Sequence, residues 1–310
     1  MLSTVLQSIV NLKLVLTFRL SLTVSKHRKS LMTFSIVACD NKEKSWGIAV
    51  ASKFPAVGAV VPWAQADAGA VATQSFANTS FGPRGLEMMA NGLSADETLA
   101  KLLMDDPDRE LRQVGLVDAH GDAATFTGSG CFPWAGGVKG KGYAIQGNIL
   151  ASAKVVSAME KKFLATKGDL PTRLHAALLA GDRAGGDKRG RQSAAIYVVK
   201  PNGGYGGFVD RWIDYRVDDH EDPVPRLGEL IELHRLYFDK SLENERVLLK
   251  GKSLEQITSI LKREGYLKKN TAFQDAFNAF IGNENFEERA DPYAQWIDKP
   301  VLKYLLKKFK

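Results

Sequence analysis

Thr33 follows Met32 and opens the run TFSIVACD. Inside a chain a threonine hydroxyl is a weak nucleophile that needs a base beside it. At a free N-terminus the α-amine, with a pKa of about 7.7–8.0, sits near operating pH and serves as that base. Methionine is usually trimmed before a small residue, so initiation at Met32 would leave Thr33 free. The plainer reading is a β-branched residue opening a strand. In Gln146-Gly147-Asn148 an amide could donate to a tetrahedral oxyanion, with Asn148 the candidate; the alternative is a turn with an asparagine helix cap. Gln74, Ser75 and Asn78 end a strand and are candidates to line the same cleft. The loop Gly185-Gly186-Asp187-Lys188-Arg189-Gly190-Arg191-Gln192-Ser193 lacks phosphate-loop spacing. Its Asp187, Arg189 and Ser193 suit a shaped loop that binds a carboxylate, or else a solvated one.

Other constellations are weaker. Asp218-Asp219-His220 resembles a metal cluster, yet neighbours on a strand point to opposite faces. No metal or other cofactor is therefore expected, and Arg211, Asp214, Arg216 and Asp218 read as an ion-pair ladder. Ser129 lies in T-G-S-G-C, which is not the G-x-S-x-G elbow.

These residues need elements to hold them. Residues 33–40, 47–52, 58–63 and 69–75 read as strands bounded by turn residues. Leu86, Met89 and Ala90 mark a short helix, and Ser94-x-x-Glu97 is a capping box for a second. Strands follow at 112–119, 122–127 and 143–147, then helices at about 152–165 and 170–180, the latter stopping at Gly181. Strands at 192–199 and 206–217 and a helix at about 225–240 close the region. Grouped strands and grouped helices imply an α+β fold of two face-to-face sheets with helices outside. The tail reads as three short helices, with Ser253-x-x-Gln256 as a capping box, Thr271–Phe280 next, and 298–310 last.

Charge narrows the partners. The 310 residues carry +7, of which +5 lies in residues 1–31 and +5 in 246–310, so the middle is mildly acidic at −3. That distribution gives no footprint for nucleic acid. Lys13 and Arg19 interrupt the apolar run of residues 1–31, which predicts no membrane span. No small-residue cleavage site precedes Thr33. This segment reads as an extension: an upstream start before Met32, or a targeting segment. Cys39 and Cys131 are too few for a disulfide framework, and a cytoplasmic location is favoured over a secreted or wall-associated one.

TFSIVACD, GIAVASKFPAVGAVVPWA, GAVATQSFANTSFGPRGL, YAIQGNIL, AGGDKRGRQSAA and YGGFVDRWIDYRVDDHEDP occur in one order. Together they resemble an uncharacterised family, a domain of unknown function assigned to the N-terminal-nucleophile (Ntn) hydrolase superfamily. The likeness runs from Met32 to about Phe238. It implies a four-layer αββα sandwich and amide cleavage by acyl transfer through Thr33, and it gives no substrate. Lys53 would then stabilise the ionised nucleophile, where a strand-end lysine is otherwise a surface residue. From about Arg246 the tail resembles a peptidoglycan-binding type of module; a helical appendage or an oligomer contact is the alternative. The expected organisation is an extension (1–31), an Ntn-like domain (32–240) and a helical module (246–310). The expected function is an amidohydrolase acting on a small-molecule or peptide amide, a cell-wall fragment included. The rivals are a non-enzymatic binding protein on the same scaffold and a metal-dependent hydrolase around Asp218, Asp219 and His220.

Overall fold

The computed structural model describes residues 33–239 and 241–310; the expectations for residues 1–31 lie outside the described residues. The chain divides into two compact units at Val224/Pro225.

In the first unit, β1 (Thr33–Asp40) and β2 (Ser45–Ser52) form a hairpin. Asp40 shapes its turn by accepting hydrogen bonds from the Lys42 and Glu43 amides. With β7 (Gly136–Gly140), β8 (Tyr143–Asn148), β9 (Ser193–Val199) and β10 (Arg211–Val217) they make a six-stranded sheet in the order β10-β9-β2-β1-β8-β7. The other sheet is β3 (Pro62–Gln65), β4 (Gly69–Ser75), β5 (Arg112–Asp118) and β6 (Ala123–Thr127), in that order. Every pairing in both sheets is antiparallel.

Two helices, α1 (Phe81–Ala90) and α2 (Ala95–Met104), cover the four-stranded sheet. Phe81, Leu86, Leu99 and Leu102 pack there on Val71, Val114 and Leu116. Ser94 and Glu97 form the expected capping box at the start of α2. The six-stranded sheet is covered by α3 (Lys154–Ala165) and α4 (Leu170–Arg183). The unit is thus a mixed α/β fold, two sheets packed on each other and flanked by helices.

Several local expectations are corrected. Gly181 does not stop α4, which continues to Arg183; a Cβ there would lie 2.6 Å from Met159 Cγ, so glycine lets the helix pass its neighbour. Of residues 58–63 only Pro62 and Trp63 are strand, opening β3, while Gly58 and Ala59 end a 3₁₀ turn (Val57–Ala59). The last strand begins at Arg211, not 206, after a 3₁₀ turn at Tyr205–Gly207.

In the second unit lies most of α5 (Pro223–Phe238). Then come β11 (Arg246–Leu248), α6 (Lys252–Arg263), α7 (Phe273–Asn283), β12 (Ala290–Asp291), β13 (Trp296–Asp298) and α8 (Lys299–Lys308). The three strands form a small sheet, β11-β13-β12, absent from the helical expectation. Ile257, Leu261, Phe277, Phe280, Phe286 and Leu305 are central to its core. Ser253 is not an N-cap: Gly251 holds that position, and the Ser253 hydroxyl turns back to the carbonyls of Leu248 and Lys250.

Candidate functional site

Strand register builds the site. A hairpin that pairs Asp40 with Ser45 must pair Thr33 with Ser52 at its open end. On its other side Thr33 pairs with Asn148 of β8, and Ser52 pairs with Ser193 of β9. Asn148, Thr33, Ser52 and Ser193 therefore form one row across the six-stranded sheet, and all four are buried. Because side chains alternate, the row shares a face with Ser35, Val37 and Cys39, the face turned to the other sheet, while Phe34 faces the helix side near Gly181 and Gly186. Thr33 Oγ1 donates to Ser52 Oγ at 3.2 Å.

Opposite the row, β4 and β5 present Gln74 and Gln113, a directly paired couple. Gln113 Nε2 donates to the carbonyl oxygen of Gly147 at 2.8 Å, to that of Gly136 at 3.4 Å and to Thr127 Oγ1 at 2.9 Å. Backbone carbonyls only accept, so these contacts fix which end of the Gln113 amide is nitrogen. Its Oε1 must then face Gln74 Nε2 at 2.8 Å and Asn148 Nδ2 at 2.9 Å. Gln74 Nε2 also donates to the Thr33 carbonyl at 3.2 Å. Gln74 Oε1 accepts from Ser35 Oγ at 2.6 Å, and Ser35 Oγ accepts from Gln146 Nε2 at 2.6 Å. A single bonding direction runs through the chain of amides. It leaves Asn148 Oδ1 buried with no partner among the described residues, a condition that costs about 1–3 kcal/mol for a neutral acceptor.

A cavity of about 550 Å³ opens beside this row. Its walls include Phe34, Ala51, Ser52, Arg183, Asp187 and Lys188. Ser52 thus belongs both to the cavity wall and to the hydrogen bond with Thr33.

The predicted site residues fall into three groups. Thr33, Asn148, Gln74 and Ser193 meet at the polar end of the inter-sheet layer. The Ser193 hydroxyl holds the 54–57 turn there, donating to the Phe54 carbonyl and accepting from the Val57 amide at 3.1 Å. Lys53, Asp187 and Arg189 form the second group. Asp187 accepts from the Lys53 amide at 2.8 Å and is paired with Arg189 at 3.1 Å, so this acid–base pair ties the 185–191 loop to the end of β2. The Lys53 ammonium lies on the Arg191 carbonyl at 3.1 Å, and its side chain is outside the Thr33 row. Asn78 stands apart: its Nδ2 donates to Asp106, which pairs with Arg112 at 2.8 Å. Arg112, then burial working against it, then Asn78 set the Asp106 carboxyl, which is lowered to about 2.

Asn148 is not a helix cap; α3 begins after Ala153. Asp218, Asp219 and His220 turn to separate partners, Arg216, Gln192 and the Asp222 amide. Among the described residues no cluster of three His, Cys, Asp or Glu is placed to hold a metal ion. The Arg211–Asp214 and Arg216–Asp218 pairs of the ladder are present at 3.5 and 3.1 Å. Sequence reasoning missed Ser52 and Gln113. Ser52 was recoverable from hairpin register alone, whereas Gln113 sits inconspicuously within RQVGLVD.

Comparison with known proteins adds three findings. The family model described as "Family of unknown function (DUF1028)" matches residues 33–227. A second model, described as "Putative peptidoglycan binding domain", matches residues 237–305. The crystal structure of protein SPO2555 from Silicibacter pomeroyi, described under the same DUF1028 heading, is similar at 27% identity, covering 72% of this chain and 92% of that one, with a TM-score of 0.59. No curated protein matches the chain.

Proposed function

Because the chain belongs to the DUF1028 family, whose description states no activity, we propose its function from the geometry: an Ntn-type amidohydrolase on an αββα sandwich, with Thr33 as nucleophile. In a chain that begins at Thr33, the α-amine takes the hydroxyl proton as Oγ1 attacks an amide carbonyl. The C–N bond breaks, the departing amine takes that proton, and water hydrolyses the resulting ester. In the 310-residue chain the Thr33 nitrogen is a peptide nitrogen, so the reading requires initiation at Met32 with trimming, or cleavage before Thr33.

One observation carries this reading. The Thr33 hydroxyl heads the central hairpin, 3.2 Å from the Ser52 hydroxyl, and Ser52 is one of the residues lining a cavity large enough for a small amide. Lys53 is assigned no role in this reading, because its ammonium lies on the Arg191 carbonyl, outside the Thr33 row.

The test compares residues 33–310 with the full chain, using a β-lactone probe that acylates a nucleophilic hydroxyl. Intact mass and peptide mapping should place one probe on Thr33 in the shorter protein and none in the full chain or in Thr33→Ala. Absence of labelling at Thr33 in the shorter protein sinks the reading. The match of residues 237–305 favours a second one, a wall-binding protein in which this tail is the working part. Sedimentation with insoluble peptidoglycan, compared with the protein truncated after Phe238, reads that directly.

A further inference from the structure

The amide network leaves one acceptor unanswered, and its position says what should answer it. Asn148 is fully buried, and its Cα is the register partner of Thr33. Its amide cannot be reversed without turning an oxygen toward Gln113 Oε1, whose own orientation is set by the carbonyls of Gly136 and Gly147. Asn148 Oδ1 is therefore held as an acceptor at the head of β1, with no donor among the described residues. Ser52 engages the Thr33 hydroxyl, and Gln74 engages the Thr33 carbonyl. The group of Thr33 left over is its nitrogen, which gains two further hydrogens as an ammonium, one as a free amine, when the chain begins there.

Resting on the Ntn reading above, we infer that Asn148 is a positioning residue whose Oδ1 accepts a hydrogen bond from the free α-amino group of Thr33. Ser52, Gln74 and Asn148 would then fix the hydroxyl, the carbonyl and the amine of one residue separately. The contact aims the nitrogen lone pair by anchoring one N–H, and it favours the charged ammonium, raising the amine pKa. This role differs from donation to an oxyanion, and it concerns the acceptor end of the same side chain.

The experiment uses residues 33–310 labelled with [¹⁵N,¹³C]threonine. The Thr33 Cα and Hα shifts are followed against pH in the wild type and in Asn148→Ala. Removing the acceptor should lower the α-amine pKa by roughly 0.5–1 unit, and where turnover is measurable the acid limb of the kcat profile should move with it while KM stays within about twofold. An unchanged titration overturns the inference. Gln113 Oε1 keeps Gln74 Nε2 in this variant, so the network retains a partner for it. Should Asn148→Ala fail to fold, a crystal structure of wild-type 33–310 decides: a nitrogen within 3.2 Å of Oδ1 supports the contact, and a separation above about 4 Å refutes it. Both readouts are independent of catalysis. A shifted titration without probe labelling would keep the contact and discard the hydrolase; labelling without a shift would do the reverse.

Discussion

The layer between the two sheets has two ends built from the same strands. At one end Val37, Cys39, Trp46, Ile48, Ala70, Ala72 and Val117 pack as an apolar core. A few residues along, β1, β2, β4, β5 and β8 present Thr33, Ser35, Ser52, Gln74, Gln113, Gln146 and Asn148, all buried. The apolar end stabilises by removing surface from water and tolerates shifts in packing. The polar end depends on direction, because each buried amide must meet its complement or cost free energy. A fold with only stability to secure would have little reason to extend such a network across a sheet interface, and this difference is what supports placing the proposed function at the polar end.

Substitutions can break this contrast. The largest effect belongs to Thr33→Ala in residues 33–310. Turnover on any amide found to be a substrate should fall more than about 10³-fold, with urea stability moving by less than about 1 kcal/mol. Ile48→Ala should do the opposite, costing about 2–5 kcal/mol in urea unfolding while Thr33 still takes the probe under folding conditions. An equal loss of stability from both variants would erase the distinction.

Asp106 borders the polar end through Arg112, the residue preceding Gln113. Its carboxyl is lowered from 3.8 to about 2, so the unfolded chain binds the proton more readily than the folded one. The stabilisation is complete above about pH 4 and is lost as pH falls toward 2, a span of about 2 kcal/mol. Asp106→Asn should be less stable at neutral pH and should lose this part of the acid dependence, as read by melting temperature against pH. Gln113→Ala should cost about 1–3 kcal/mol, because the Gly147 carbonyl and its other partners lose their complement. The smallest effect tests the apolar end. Burial, then the charges of Asp118 and Asp40, push the Cys39 thiol up to about 12. Iodoacetamide at pH 8 should therefore modify it at least ~100-fold more slowly in the native protein than in urea.

Much of the scaffold was legible because its strands alternate and its helices carry caps. TFSIVACD could be read as a strand from composition, and Ser94-x-x-Glu97 as a helix start. The strand GGVKG at 136–140 was not, since glycine supplies neither propensity nor an apolar face. Its glycine content answers to close approach instead: a Cβ on Gly137 would lie 2.7 Å from the Ile145 carbonyl. Thr33 and Asn148 were legible as candidates by residue type, and register then brought them side by side. Lys53 and Asn78 carried the right chemistry, but local hydrogen bonds to Arg191 and Asp106 claim them. Gln113 escaped notice because its meaning lies in partners 14 to 39 residues away.

Gly115 carries a consequence for how this sequence can change. A Cβ there would stand 2.1 Å from Gln146 Oε1, and Gln146 cannot swing aside without releasing Ser35. The two positions are thus bound to one another across generations. A lineage that gains a side chain at 115 must shorten or replace the glutamine at 146 first, or pass through a poorly folding intermediate. In an alignment of relatives, glutamine at 146 should occur only where 115 is glycine, whereas glycine at 115 can stand beside other residues at 146.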